Sequence, residues 1–120
     1  MLNQDNNDFY NNKKWRRKAA AILSRDNYQD KYQRRYGRAE PAEIVHHILP
    51  LDLYPELAYT DYNLISVSRR THLMLHTADG SLSKRGKELS EMIARRHGIP
   101  LRDPGPASNY RTGGKGYAIK

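Results

Sequence analysis

Four of the five histidines lie between Val45 and His76, and their arrangement limits what this chain can fold into more than any other feature. His46 and His47 are adjacent in the run Glu43 to Leu49, which reads as a strand ended by Pro50, a residue that cannot donate in a strand ladder. His72 and His76 lie four positions apart, about one turn, in a segment from Arg69 to Thr77 that reads as a helix capped by Ser68. Between them, Asn63 to Val67 reads as a second strand, suited to antiparallel pairing with the first. The connection from Leu51 to Tyr62 contains Asp52, Pro55, Glu56 and Asp61 and reads as a loop with room for one short helical turn. Strand, loop, strand and helix predict an α+β fold: a two-stranded antiparallel hairpin plus a helix, with imidazoles at both ends.

Successive side chains of a strand point to opposite faces, so His46 and His47 are not expected to ligate one metal together. One of the two rings should join His72 and His76, which share a helical face, and the other is left for a different task. Three neutral imidazoles with open water positions suit a catalytic divalent metal. A fourth, neutral at pH 7, suits proton abstraction from water. Such a base needs its second ring nitrogen held, and Asn63, at the start of the facing strand, is placed to hold it.

Flanking helices complete the reading. Trp15, Ala19, Ile22 and Leu23 form one apolar stripe over Lys13 to Arg25. Tyr28, Tyr32 and Tyr36 recur every four residues, which predicts that helical structure restarts or continues to Tyr36, before Gly37. Ser81 or Ser83 is placed to cap a last helix to about His97, with Leu89, Met92, Ile93 and Leu82 turned inward and Gly98 and Pro100 as its stop. Residues 1–12 are polar and Asn-rich, and 100–120 are rich in Gly and Pro without an apolar period; both are expected to be flexible. One domain, residues 13–99 with a core at 43–77, is therefore predicted.

A domain of this size buries little surface and commonly needs an added tie. With no cysteine in 120 residues, disulfides and thiolate zinc sites are excluded, leaving histidine-bound metal as the available tie. No run approaches the ~20 apolar residues that span a bilayer, and no secretory signal opens the sequence. A soluble, cytoplasmic protein without membrane partners is expected. The net charge of +8 is concentrated between Lys13 and Arg38, where ten basic residues face only Asp26 and Asp30. Such a block beside a candidate site suggests a polyanion partner bound through its phosphates. Lys13, Lys14, Arg16, Arg17, Arg34, Arg35 and Arg38 from this block, with Arg69 and Arg70, are the candidate nucleic-acid contacts.

From Phe9 to Arg96 the chain resembles the HNH (His-Me finger, ββα-metal) endonucleases of the small phage-encoded type. The likeness is carried in order by Phe9-Tyr10-Asn11-Asn12-Lys13-Lys14-Trp15-Arg16, Ile22-Leu23-Ser24-Arg25-Asp26-Asn27-Tyr28, Val45-His46-His47-Ile48-Leu49-Pro50, Asp61-Tyr62-Asn63-Leu64-Ile65-Ser66-Val67 and Thr71-His72-Leu73-Met74-Leu75-His76. The resemblance implies a metal-dependent DNA endonuclease built on a ββα-metal finger with flanking N- and C-terminal helices. It implies that His46 ligates the metal with His72 and His76, that His47 is the general base, and that Asn63 orients that base. The three-histidine set also resembles the nuclease domains of DNase colicins. The implied cofactor is one divalent ion (Mg, Mn, Ni, Co or Zn), and the implied partner is double-stranded DNA with weak sequence preference. Similarity to phage enzymes implies the host cytoplasm and a role beside phage terminase or portal in genome packaging.

The sequence departs from that family in one respect. Close relatives hold a structural zinc on two cysteine pairs, and the corresponding positions here are Asp30 and Gln33, and Ser68 and Thr71. No structural zinc is therefore expected, and the three tyrosines are candidates for apolar packing in its place. A catalytically silent DNA-binding module and an RNA-directed nuclease are the alternatives, the latter because a basic block does not distinguish the two polyanions.

Overall fold

A computed structural model describes residues 8–102 and the backbone of Tyr117–Ala118. The expectation of flexible ends at 1–7, 103–116 and 119–120 lies outside the described residues.

The first layer is helical. Residues 8–11 form one turn, α1, and α2 follows over Lys13–Arg25. The Asn12 side chain accepts the Trp15 N–H at 2.7 Å, satisfying one of the orphan donors at the helix start. Trp15, Ala19, Ile22 and Leu23 are buried, as the apolar stripe requires. The tyrosine repeat does not continue this helix. Asn27 and Tyr28 both adopt left-handed backbone (φ 56° and 58°) and end the helical path. Only a four-residue helix follows, α3, over Lys31–Arg34. Tyr32 is buried, but Tyr28 and Tyr36 are 56% and 59% exposed, so the stripe is not a packing unit.

The hairpin forms where the two apolar runs placed it, slightly shorter at the ends. Strand β1 (Ile44–His47) pairs antiparallel with β2 (Leu64–Val67), with His46 opposite Ile65 and His47 opposite Leu64. The connection contains two short 3-10 turns, Pro55–Leu57 and Asp61–Asn63. A third strand, β3 (Tyr117–Ala118), pairs with the other edge of β1. A two-residue pairing is too short to leave a periodic signal, which is why the sequence reading saw only a tail there. The helix carrying His72, α4, spans Arg69–Met74 and is capped by Ser68, whose hydroxyl oxygen accepts the Thr71 N–H at 3.0 Å. The last helix, α5, spans Lys84–His97, opens at Ser83 and closes at Gly98 in the left-handed conformation (φ 66°).

Strand alternation sorts the core into two. Val45 and Leu64 pack with Trp15, Ala19, Ile22 and Leu23 on the α2 side. Ile44, Ile65 and Val67 pack with Leu75, Leu89, Ile93 and Ala94 on the α4 and α5 side. The backbones of α5 and the end of α4 meet at Gly86, where a Cβ would run into the carbonyl oxygen of Leu75. Among the described residues no helix is long and apolar enough to cross a membrane.

The four positions where relatives carry cysteines converge as a hydrogen-bonded polar cluster. Asp30 accepts the Gln33 N–H at 2.7 Å and the Ser68 N–H at 2.8 Å. Gln33 Nε2 donates to Thr71 Oγ1, and Ser68 Oγ donates to the same oxygen, both at 3.1 Å. All four side chains are buried. Polar bonds therefore tie α3 to α4 here, in addition to the apolar contribution of Tyr32. β2 is an edge strand of the sheet, and its outward N–H groups would otherwise be open to pairing. Asp26 takes the Ser66 N–H (3.1 Å) and Asp30 takes the Ser68 N–H just beyond the strand.

Candidate functional site

His46 projects from the α4 side of β1 and His47 from the α2 side, so the two adjacent rings serve different surroundings, as alternation requires. His46 is 1% exposed, and its ring centroid lies 5.5 Å from that of His72 and 5.1 Å from that of His76. The His72 and His76 rings are 4.5 Å apart. One nitrogen from each ring can be chosen so that all three lie within 4.8 Å of one another. His76 is not on the helix itself: α4 ends at Met74, and His76 forms an isolated bridge with Leu82 across the Asp79-Gly80 turn. Its Nδ1 lies 3.2 Å from the Gly80 carbonyl oxygen, which can only accept; the ring donates from Nδ1 and keeps a lone pair on Nε2.

His46 Nε2 and His76 Nε2 are buried and make no hydrogen bond among the described residues. Buried polar atoms are ordinarily satisfied, so two buried ring nitrogens without a partner, on two of the three clustered histidines, fit a divalent cation. The electrostatics agree. Burial pushes the His46 imidazole well below its ordinary value, and the neighbouring His76, His72 and His47 rings push it further. Burial, then His76 and Arg69, brings His72 down to about 3. Burial also lowers His76, against the opposing pull of its bonds to the Gly80 and Ser81 backbone. All three are neutral near pH 7, the form that ligates metal.

His47 is 6% exposed and lies in an aromatic enclosure. Trp15 stacks on it (centroids 4.8 Å, 24°), with Phe9 at 5.7 Å and Tyr10 at 5.8 Å. Burial brings its imidazole down to about 4, partly opposed by its bond to the Ala58 carbonyl. That bond joins Nε2 to the Ala58 oxygen at 3.0 Å. A carbonyl only accepts, so the neutral ring carries its proton on Nε2 and its lone pair on Nδ1. Nδ1 is 3.1 Å from the Tyr10 hydroxyl, which therefore donates to it.

Asn63 makes no hydrogen bond to His47, and the expectation that it orients the base directly is corrected. Its Oδ1 accepts the Leu49 N–H at 2.7 Å, and its Nδ2 donates to the Leu49 and Leu57 carbonyls at 3.1 and 3.3 Å. These bonds tie Leu49, where the loop begins, to Leu57, the residue before Ala58. Sequence reasoning missed Ala58 because a backbone carbonyl leaves no residue-type signal. It missed Tyr10 by assigning it to a flexible end; the available signal was a pair of aromatics, Phe9 and Tyr10, just before a capping asparagine.

The candidate nucleic-acid contacts are all exposed and spread over three helices. Lys13, Lys14, Arg16 and Arg17 lie on α2, in the helix that brings Trp15 to His47, and Lys14 covers the Tyr59 ring at 4.2 Å. Arg34, Arg35 and Arg38 lie on and after α3; Arg35 reaches Met92 Sδ and Arg38 reaches Gln33 Oε1. Arg69 and Arg70, at the start of α4, pair with Glu43 (3.1 Å) and Glu40 (2.6 Å) across the surface.

The fold is similar to the crystal structure of the HNH endonuclease of the deep-sea thermophilic bacteriophage GVE2, solved with manganese ion. The TM-score is 0.57 at 31% sequence identity, over 59% of this chain and 77% of that one. No protein-family model and no curated protein sequence matches the chain.

Proposed function

Because the chain belongs to the HNH endonuclease family, we propose that it is a metal-dependent DNA endonuclease in which His47 is the general base and His46, His72 and His76 hold one divalent ion. The observation that carries this reading is the convergence of three neutral imidazoles on one side of β1, while the next residue presents a fourth on the other side. The bound ion would supply Lewis-acid chemistry, neutralising charge on the scissile phosphate. His47 Nδ1 takes a proton from the attacking water as the new P–O bond forms and the bond to the leaving oxygen breaks. The Ala58 carbonyl keeps the ring in the tautomer that does this, and Asn63 keeps Ala58 in place.

Lys13, Lys14, Arg16 and Arg17 bind the backbone beside His47, and Arg69 and Arg70 bind it beside the metal ligands. Arg34, Arg35 and Arg38 extend the contact. Phosphate contacts of this kind position a duplex without reading its sequence. Manganese in the phage GVE2 enzyme supports Mn as a working ion, while three imidazoles favour Zn or Ni by affinity. The resemblance to small phage-encoded enzymes extends this reading to a role near terminase or portal during genome packaging.

The test is cleavage of supercoiled plasmid by chelator-treated protein, with Mg, Mn, Ni, Co and Zn restored in turn. Cleavage should require metal, and His47→Ala should lower it at least ~100-fold while still binding metal. DNA binding without cleavage by any metal would leave the silent binding module as the account, and preference for structured RNA in competition would redirect the substrate.

A further inference from the structure

The Tyr10 hydroxyl occupies the one atom of His47 that the reaction needs. Nε2 is committed to the Ala58 carbonyl, and Nδ1, which carries the lone pair, accepts from Tyr10 at 3.1 Å. The ring's plane and tautomer are already set without this contact, by Trp15 stacked on one face and by Ala58. The hydroxyl therefore adds little to orientation, and a lone pair engaged by one donor is not open to water. Tyr10 stands on α1, a single turn joined to α2 through Asn12, and its ring meets Phe9 at 5.2 Å and Trp15 at 5.5 Å. These contacts hold the hydroxyl over His47, 37 residues further along the chain.

We infer that Tyr10 makes an inhibitory contact in this site: its hydroxyl holds the Nδ1 lone pair of His47 in the resting protein and competes for it with the water that attacks phosphate. This rests on the nuclease reading. When the water displaces the hydroxyl, Nδ1 receives the water's proton and Tyr10 keeps its own. The lysines and arginines at the start of α2 lie directly after α1, so DNA bound to them meets the segment that carries Tyr10.

The test is Tyr10→Phe in the full chain, which removes the hydroxyl and keeps the ring. In metal-free protein at pH 7, long-range proton–nitrogen spectra should show the His47 Nδ1 signal moving downfield, toward an unbonded pyridine-type nitrogen. Tyr28→Phe, which removes the hydroxyl of an exposed tyrosine elsewhere, should leave that signal in place. Reaction of metal-free protein with diethylpyrocarbonate should modify His47 faster in Tyr10→Phe. With metal and saturating plasmid, kcat should rise about 3- to 10-fold at unchanged KM, the range one ordinary hydrogen bond represents. An unmoved Nδ1 signal, or a kcat equal to or below that of the unaltered chain, overturns the inference while the nuclease reading stands. A chain that cleaves nothing with any metal although the Nδ1 signal moves overturns the nuclease reading, and the competition with water falls with it.

Discussion

Replacing the buried Asp30 by Ala should destabilise this protein more than removing an exposed carboxylate. The carboxylate is fully buried and accepts two backbone N–H groups, those of Gln33 at 2.7 Å and Ser68 at 2.8 Å. The first bond caps α3, and the second fixes the residue that caps α4. Hydrogen bonds to a charged group contribute about 1.5–3 kcal/mol each, and alanine would leave both buried donors unsatisfied. Taking the lower half of that range, because burying the carboxylate itself costs free energy, gives about 3–4 kcal/mol. At 4–8 °C per kcal/mol for a domain of this size, the expected fall in Tm is roughly 12–30 °C. Asp30→Asn keeps one acceptor but turns an amide donor toward the other N–H, so it should fall between the two. The assay is thermal unfolding of the full, metal-free chain at pH 7, followed by circular dichroism. Since Ser68 starts the helix that bears His72, Asp30→Ala should also weaken metal binding at a temperature where the variant is folded. A fall in Tm below about 5 °C would refute the argument and return the burden of holding α3 against α4 to apolar contacts such as Tyr32.

Acidification should destabilise the metal-free protein: the buried imidazoles are depressed in the fold, so the unfolded chain binds more protons below the ordinary histidine value of ~6.5. With His47 at about 4 and His72 at about 3, stability should be level above that value and decline below it, by about 2 kcal/mol per residue at pH 5 in denaturant titrations. Gly86→Ala should cost on the order of 3 kcal/mol, read as a lower denaturant midpoint, because the added methyl meets the Leu75 carbonyl rather than a movable side chain. Asn63→Ala should remove the clamp on Leu49 and Leu57 and lower kcat at least ~10-fold, while calorimetry shows metal affinity within about 3-fold of the unaltered chain. Equal losses of metal binding and kcat would place Asn63 with the ligands instead.

The sequence by itself determined whatever rests on neighbours within a few residues. The α2 stripe, the cap at Ser68, a cap at Ser81 or Ser83, the stop at Gly98 and the two strands follow from apolar patterning and from local bonds between side chain and backbone, while the structure adds Asn12 as a cap and chooses Ser83. The division between His46 and His47 follows too, because alternation along a strand is local; a hairpin followed by a helix brings His72 to His46, whereas His76 joins them from the bridge beyond α4. Local reasoning failed where a local conformation interrupts a period: two left-handed residues, Asn27 and Tyr28, break the tyrosine repeat. What only the tertiary structure decided are the partners of buried polar groups. Asp30 meets Ser68 across 38 residues, His47 meets Tyr10 across 37 and Ala58 across 11, and Asn63 reaches back 14 to Leu49 instead of bonding His47. A buried donor or acceptor has to find some partner, but composition does not say which one, because packing of the whole chain chooses among many residues of suitable chemistry.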